Sequence, residues 1–160
     1  MMKYIFGYII VVFLALSVFS CRYVEDENHH YFIRIGNHSR QAVYFACSSN
    51  YPDTTTYEFG VLFSPQIYKT LPGEVNTSAL ENRNTWEFMF SSEYRFIPHD
   101  TLMIFVFDAK KLEVKNDHVD NAFLMRYDVS LQDLQRVNWY LTYPPNISMK
   151  AIKMWPRYGE

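Results

Sequence analysis

Cys21 is the residue whose chemistry can be named from type and position alone. A cysteine thiolate is a nucleophile, and a cysteine set directly behind an export signal can take a diacylglycerol group. The three parts of such a signal are present: Lys3 supplies the cation, residues 4–19 (YIFGYIIVVFLALSVF) form an uncharged apolar run, and Ser20 is small. Val18-Phe19-Ser20-Cys21 resembles a lipobox, with Phe19 bulkier than the small residue usual at its place. The run is short against the roughly 20 apolar residues that a membrane-crossing helix needs. The expectation is a signal peptide over residues 1–20, removed to leave a palmitate-bearing lipid on Cys21 that holds the chain to a membrane.

Other reactive side chains lack partners at catalytic spacing. In residues 41–47 (QAVYFAC) Cys47 alternates with Val43 and Phe45, which reads as a packed core thiol. With Cys21 acylated, no internal disulfide is expected. His29 and His30 beside Glu25-Asp26-Glu27 carry donors for a divalent metal. Adjacent histidines point apart on an extended chain, however, so this stretch reads as a solvated linker. His38, His99 and His118 fall in expected loops. Asp117 and Asp120 lie in a charged stretch that reads as solvated surface rather than as a glycosidase pair. The nucleophile elbow, the zinc-protease helix motif and the dinucleotide fingerprint do not occur. Only five glycines are present, one of them in the signal, which leaves little material for a phosphate loop. The expectation is a protein that is not an enzyme and uses neither metal nor cofactor.

Aromatic residues are the feature most open to a binding role. Five of the 29 (Tyr4, Phe6, Tyr8, Phe13, Phe19) precede Cys21. A β-sandwich consumes many of the rest in its core and in cross-strand pairs. Trp86, Tyr94, Trp139, Tyr140 and Trp155 are the candidates for an exposed surface that stacks on sugar rings or docks an envelope protein. Acidic residues outnumber basic ones, so no nucleic-acid footprint is expected.

The elements that must position these residues read as short strands separated by turn chemistry. Strands are expected over 31–35 and 41–47, joined as a hairpin across 36–40, and over 56–63. Weaker strands are expected at 67–71 and 74–80, on either side of Pro72-Gly73, and residues 86–90 read as a helical turn. Residues 101–108 (TLMIFVFD) read as a central strand covered on both faces. A strand over 122–129 runs into Ser130, which caps a helix whose first turn carries Asp133; strands at 139–143 and 147–155 close the chain. Residues 21–29 read as an acidic tether and 30–160 as a single domain. The fold class is all-β, an antiparallel two-sheet sandwich of immunoglobulin-like kind with one short helix near the C-terminus. A small β-barrel is the alternative.

Residues 31–35, 51–54, 100–108, 126–134, 139–145 and 152–156, behind the lipobox, resemble small lipoproteins of unknown function from Gram-negative gut anaerobes. The resemblance implies an anchored β-rich domain in the cell envelope, held to the outer membrane, and transfers no catalytic or binding residue. The acidic group at 25–27 is similar to a surface-display signal of such bacteria, though late for one, and the surface and periplasmic faces both stay open. Asp53-Thr54-Thr55 is similar to their O-glycosylation acceptor, with Thr54 as the modified residue; Thr101 in Asp100-Thr101-Leu102 fits less well.

Overall fold

The computed structural model describes residues 24–55, 65–91, 96–114 and 119–160. The strand expected over 56–63 therefore lies outside the described residues, as do Cys21, Tyr94, Asp117 and His118. The fold is a two-sheet sandwich, not a closed barrel. One sheet has three strands: β1 (Arg34–Asn37) in the centre, flanked by β4 (Val75–Asn76) and β7 (Tyr140–Tyr143). The other has five, in the order β3 (Lys69–Thr70), β2 (Val43–Ser48), β5 (Leu102–Asp108), β6 (Phe123–Val129) and β8 (Lys153–Trp155).

The apolar run at 102–107 takes the middle of the larger sheet, and strand alternation divides it between two cores. Ile104 and Val106 face the gap between the sheets with Phe45, Tyr127, Ile35 and Leu141. Met103, Phe105 and Phe107 face outward with Tyr44, beneath Ala109 of α3 (Ala109–Leu112) and Ala122 of α4 (Val119–Ala122). Both faces are covered, as the unbroken run required. Cys47 follows Val43 and Phe45 onto the inner face and packs there half-buried.

Two connections depart from the sequence reading. The strands either side of 36–40 do not pair: β1 and β2 lie in different sheets. Buried Asn37 makes the chain cross over, its Nδ2 donating to the carbonyls of Gln41 at 2.8 Å and Thr70 at 3.0 Å while its Oδ1 accepts from Ser39. Pro72-Gly73 does the same between β3 and β4. Gly73 at φ +81° sits where a side chain is disfavoured, and this turn shortens the two weak strands to two residues each, with α1 (Pro65–Tyr68) leading in. Within the three-stranded sheet β1 pairs β7 in parallel, Ile35 opposite Leu141, because most of the larger sheet lies between them in sequence. That pair departs from a wholly antiparallel arrangement.

The helical signals hold. Trp86–Phe90 forms α2, capped by Thr85, and Leu131–Arg136 forms α5. At α5 the Ser130 hydroxyl accepts from the Asp133 N–H and the Asp133 carboxylate accepts from the Ser130 N–H, a complete capping box. Residues 147–155 form a strand only at their end, after a 3-10 turn at Ile147–Met149.

Tyr127 ties the sheets together, its buried hydroxyl donating to the Thr142 carbonyl on β7 at 2.9 Å. Burial, then the nearby Tyr143, raises its phenol above the ordinary value of 10.0. On the outer face burial and a 2.8 Å hydrogen bond to Glu113 push Tyr44 up to about 12. Both rings stay protonated when the unfolded chain has begun to ionise, so their contribution is complete below pH 10 and fades as pH rises through the folded values. Urea midpoints are expected to fall between about pH 10 and 12, and Tyr44→Phe is expected to flatten that decline.

Candidate functional site

β8 ends the larger sheet, and its alternation decides what the edge presents. Met154 points inward to the core, which turns Lys153 and Trp155 outward. The register sets Trp155 beside Arg126 and Lys153 beside Asp128. Buried Ile152 and Met149 hold the preceding turn, Met149 Sδ accepting from the Thr142 N–H at 3.2 Å. A cleft of about 550 Å3 opens here, lined by Arg126, Lys150, Lys153, Trp155, Arg157 and Tyr158 among others.

Beside the cleft, beneath Arg126 and Lys153, lies a carboxylate. The Asp128 side chain is 2% exposed. Arg126 Nη2 donates to its Oδ2 at 3.1 Å. Arg126 Nε lies 2.7 Å from Oδ1, close enough for ion pairing although the N–H does not point at that oxygen. Lys153 Nζ lies 3.7 Å from Oδ2, donates to the Tyr51 hydroxyl at 2.7 Å and sits 5.1 Å from the Tyr51 ring centre. The Tyr51 hydroxyl, with Asp128 adding to it, raises the Lys153 ammonium above its ordinary range. Arg126 and Lys153 are therefore committed, whereas Lys150 and Arg157 form no ion pair among the described residues. Trp155 leans on Phe123, ring centres 5.5 Å apart and planes tilted 40°, which fixes the indole while leaving it 59% exposed. The site carries an aromatic platform and cations, without a nucleophile and base in contact among the described residues, an arrangement that can accept an anion beside a flat face.

The five aromatic candidates do not form one surface. Trp86 and Trp139 are core residues, 4% and 2% exposed. The Trp86 indole N–H donates to the Leu80 carbonyl, and the Trp139 ring stacks on His30 at 4.3 Å. Tyr140 is partly buried, its hydroxyl 3.1 Å from His38 Nε2 on the three-stranded sheet, and Tyr94 lies outside the described residues. Trp155 stands at the cleft beside β8. Its accessible signal in the sequence was the alternation of Lys153 and Trp155 about Met154, which places two side chains of binding type on one face of an extended segment.

The histidine and acidic positions also differ from a solvated linker. His30 Nδ1 is 2.6 Å from Glu87 Oε1, and Glu25 accepts from the N–H groups of Tyr31 and Phe32 and from Arg34 Nη2 at 2.6 Å. Asp26 and His29 pair with each other at the surface. Thr54 is exposed, next to an Asx turn in which Asp53 Oδ1 accepts from the Thr55 N–H and hydroxyl. Thr101 is half-buried and donates to the His99 carbonyl. A second cleft, of about 310 Å3 near Lys69 and Glu113, is internally neutralised by their 2.7 Å pair. No family model, curated protein or solved structure matches the chain.

Proposed function

We propose that this is a lipid-anchored, non-catalytic domain of the cell envelope that works by binding, with the surface around Trp155 as its contact. The signal-like residues 1–20 and Cys21 support the anchor, at the outer membrane. One observation carries the binding role: a tryptophan fixed by Phe123 yet 59% exposed, at the mouth of a cleft whose Lys150 and Arg157 form no ion pair among the described residues. Tryptophan and arginine dominate binding energy where they can be desolvated by a partner, and the core of this sandwich has no use for either residue at that edge. An interaction domain of this kind fits the small envelope lipoproteins that the sequence resembles.

Hydroxyl-radical footprinting of isolated envelopes against the purified chain tests this reading. Labelling of Trp155 is expected to drop at least about fivefold in envelopes, as for a residue buried at a contact, while Ile147, 73% exposed, labels equally in both. Cys21→Ala is expected to abolish incorporation of labelled palmitate. Equal labelling of Trp155, or palmitate incorporation that survives Cys21→Ala, overturns the corresponding half of the proposal.

A further inference from the structure

We propose that the Trp155 cleft takes an acidic saccharide, a uronate-bearing oligosaccharide whose ring lies on the indole and whose carboxylates meet Lys150 and Arg157. The inference rests on the binding role proposed above and names its ligand class. Three observations converge on it. The cleft, about 550 Å3, falls within the range of about 300–1,000 Å3 typical of small-molecule sites, far beyond what one inorganic ion fills. Its exposed aromatic is immobilised from one side by Phe123, so a flat ring can be stacked with little loss of side-chain freedom. Its cations divide into two sets. Arg126 and Lys153 are engaged by Asp128 and Tyr51, whereas Lys150 and Arg157 are exposed and unpaired among the described residues. Two unpaired cations around one aromatic fit a ligand that alternates flat rings with carboxylates, since a charged acceptor makes the stronger hydrogen bonds.

The alternatives fit less well. Addition of an extended peptide to the β8 edge is opposed by a strand of three residues that carries Lys153 and ends at Pro156, features that block edge pairing. Glu160 is also close by, its carboxylate accepting from the Arg157 backbone N–H at 3.1 Å. It lowers the net attraction for a simple polyanion and leaves the aromatic contact as the discriminating part.

Calorimetric titration of the full chain in non-ionic detergent decides the matter, with tetragalacturonate and tetramannuronate as probes. Controls are fully methyl-esterified tetragalacturonate, hexaglutamate and inorganic phosphate. At least one uronate is expected to bind. Loss of its charge by esterification, and Trp155→Ala, are each expected to weaken binding by at least about tenfold, the share of one anchoring contact. Trp155→Phe is expected to retain part of the affinity; Lys150→Gln and Arg157→Gln are expected to weaken binding and to reduce its salt dependence. Thermal unfolding of each variant checks that the fold persists. Silence towards both uronates, equal binding of the ester, equal binding of hexaglutamate or phosphate, or an unchanged Trp155→Ala each overturns the inference. Protection of Trp155 in envelopes together with silence towards the uronates removes the saccharide and keeps the binding surface; uronate binding without that protection removes the occupancy in envelopes instead.

Discussion

Trp139→Ala is expected to lower the free energy of unfolding by about 3–5 kcal/mol, the usual cost of truncating a buried tryptophan. A domain of this size has only about 5–15 kcal/mol in total. The ring is 2% exposed and belongs to the inter-sheet cluster. It also stacks on His30 at 4.3 Å, and His30 is in turn held by Glu87. Its removal leaves a cavity beside β7 and takes away the ring on which His30 packs. Both Asn138 and Trp139 have left-handed backbones, φ 52° and 57°, a conformation that packing must sustain against its steric cost. Urea denaturation followed by far-UV circular dichroism measures the loss. A fully stable variant that had lost only ligand binding would return Trp139 to the surface role that its residue type suggests.

Asp128 gives the second large effect, in which stability and binding move in opposite directions. Asp128→Ala removes a buried carboxylate from beneath Arg126 and Lys153 and is expected to cost about 3 kcal/mol, since breaking a buried pair strands the remaining charge. Asp128→Asn keeps the shape and one acceptor, so its cost is expected to be smaller. Either substitution leaves the cleft one unit more positive. Affinity for an anionic ligand is then expected to rise at low salt while the urea midpoint falls. If affinity fell in proportion to stability, the carboxylate would be acting only as a brace for the cleft walls.

Legibility in the sequence followed the range of the interactions. Residues 102–107 announced a doubly covered strand because six consecutive apolar side chains leave neither face for solvent. Ser130 and Asp133 announced a helix start because both partners of the capping box lie within one turn. Long-range pairings left no such mark. The parallel contact of β1 with β7 joins residues about a hundred positions apart, and Glu87 gives no local sign that it will meet His30. Asn37 reads as ordinary turn chemistry until its amide is seen holding Gln41 and Thr70. Aromatic residues were ambiguous for a related reason: Trp139 and Trp155 both sit in short apolar segments, and the register of β8 on β6 sends Trp155 out while the left-handed turn before β7 carries Trp139 into the core. The cleft needed that register too, together with the return of Tyr51 from the loop after β2.

Glu25 sets a mechanical limit on whatever the protein binds. Pinned to Arg34 and to the backbone of Tyr31 and Phe32, it ends the leash early. The four residue steps from Cys21 to Glu25 span at most about 14 Å even when fully drawn out. On a lipid at Cys21 the sandwich is then kept at nearly constant stand-off height and is denied free tumbling. With the proposed anchor and the proposed ligand together, a long polymer lying across an array of such copies would engage several weak sites at once, and its residence time would be set by the surface density of anchors rather than by any single cleft.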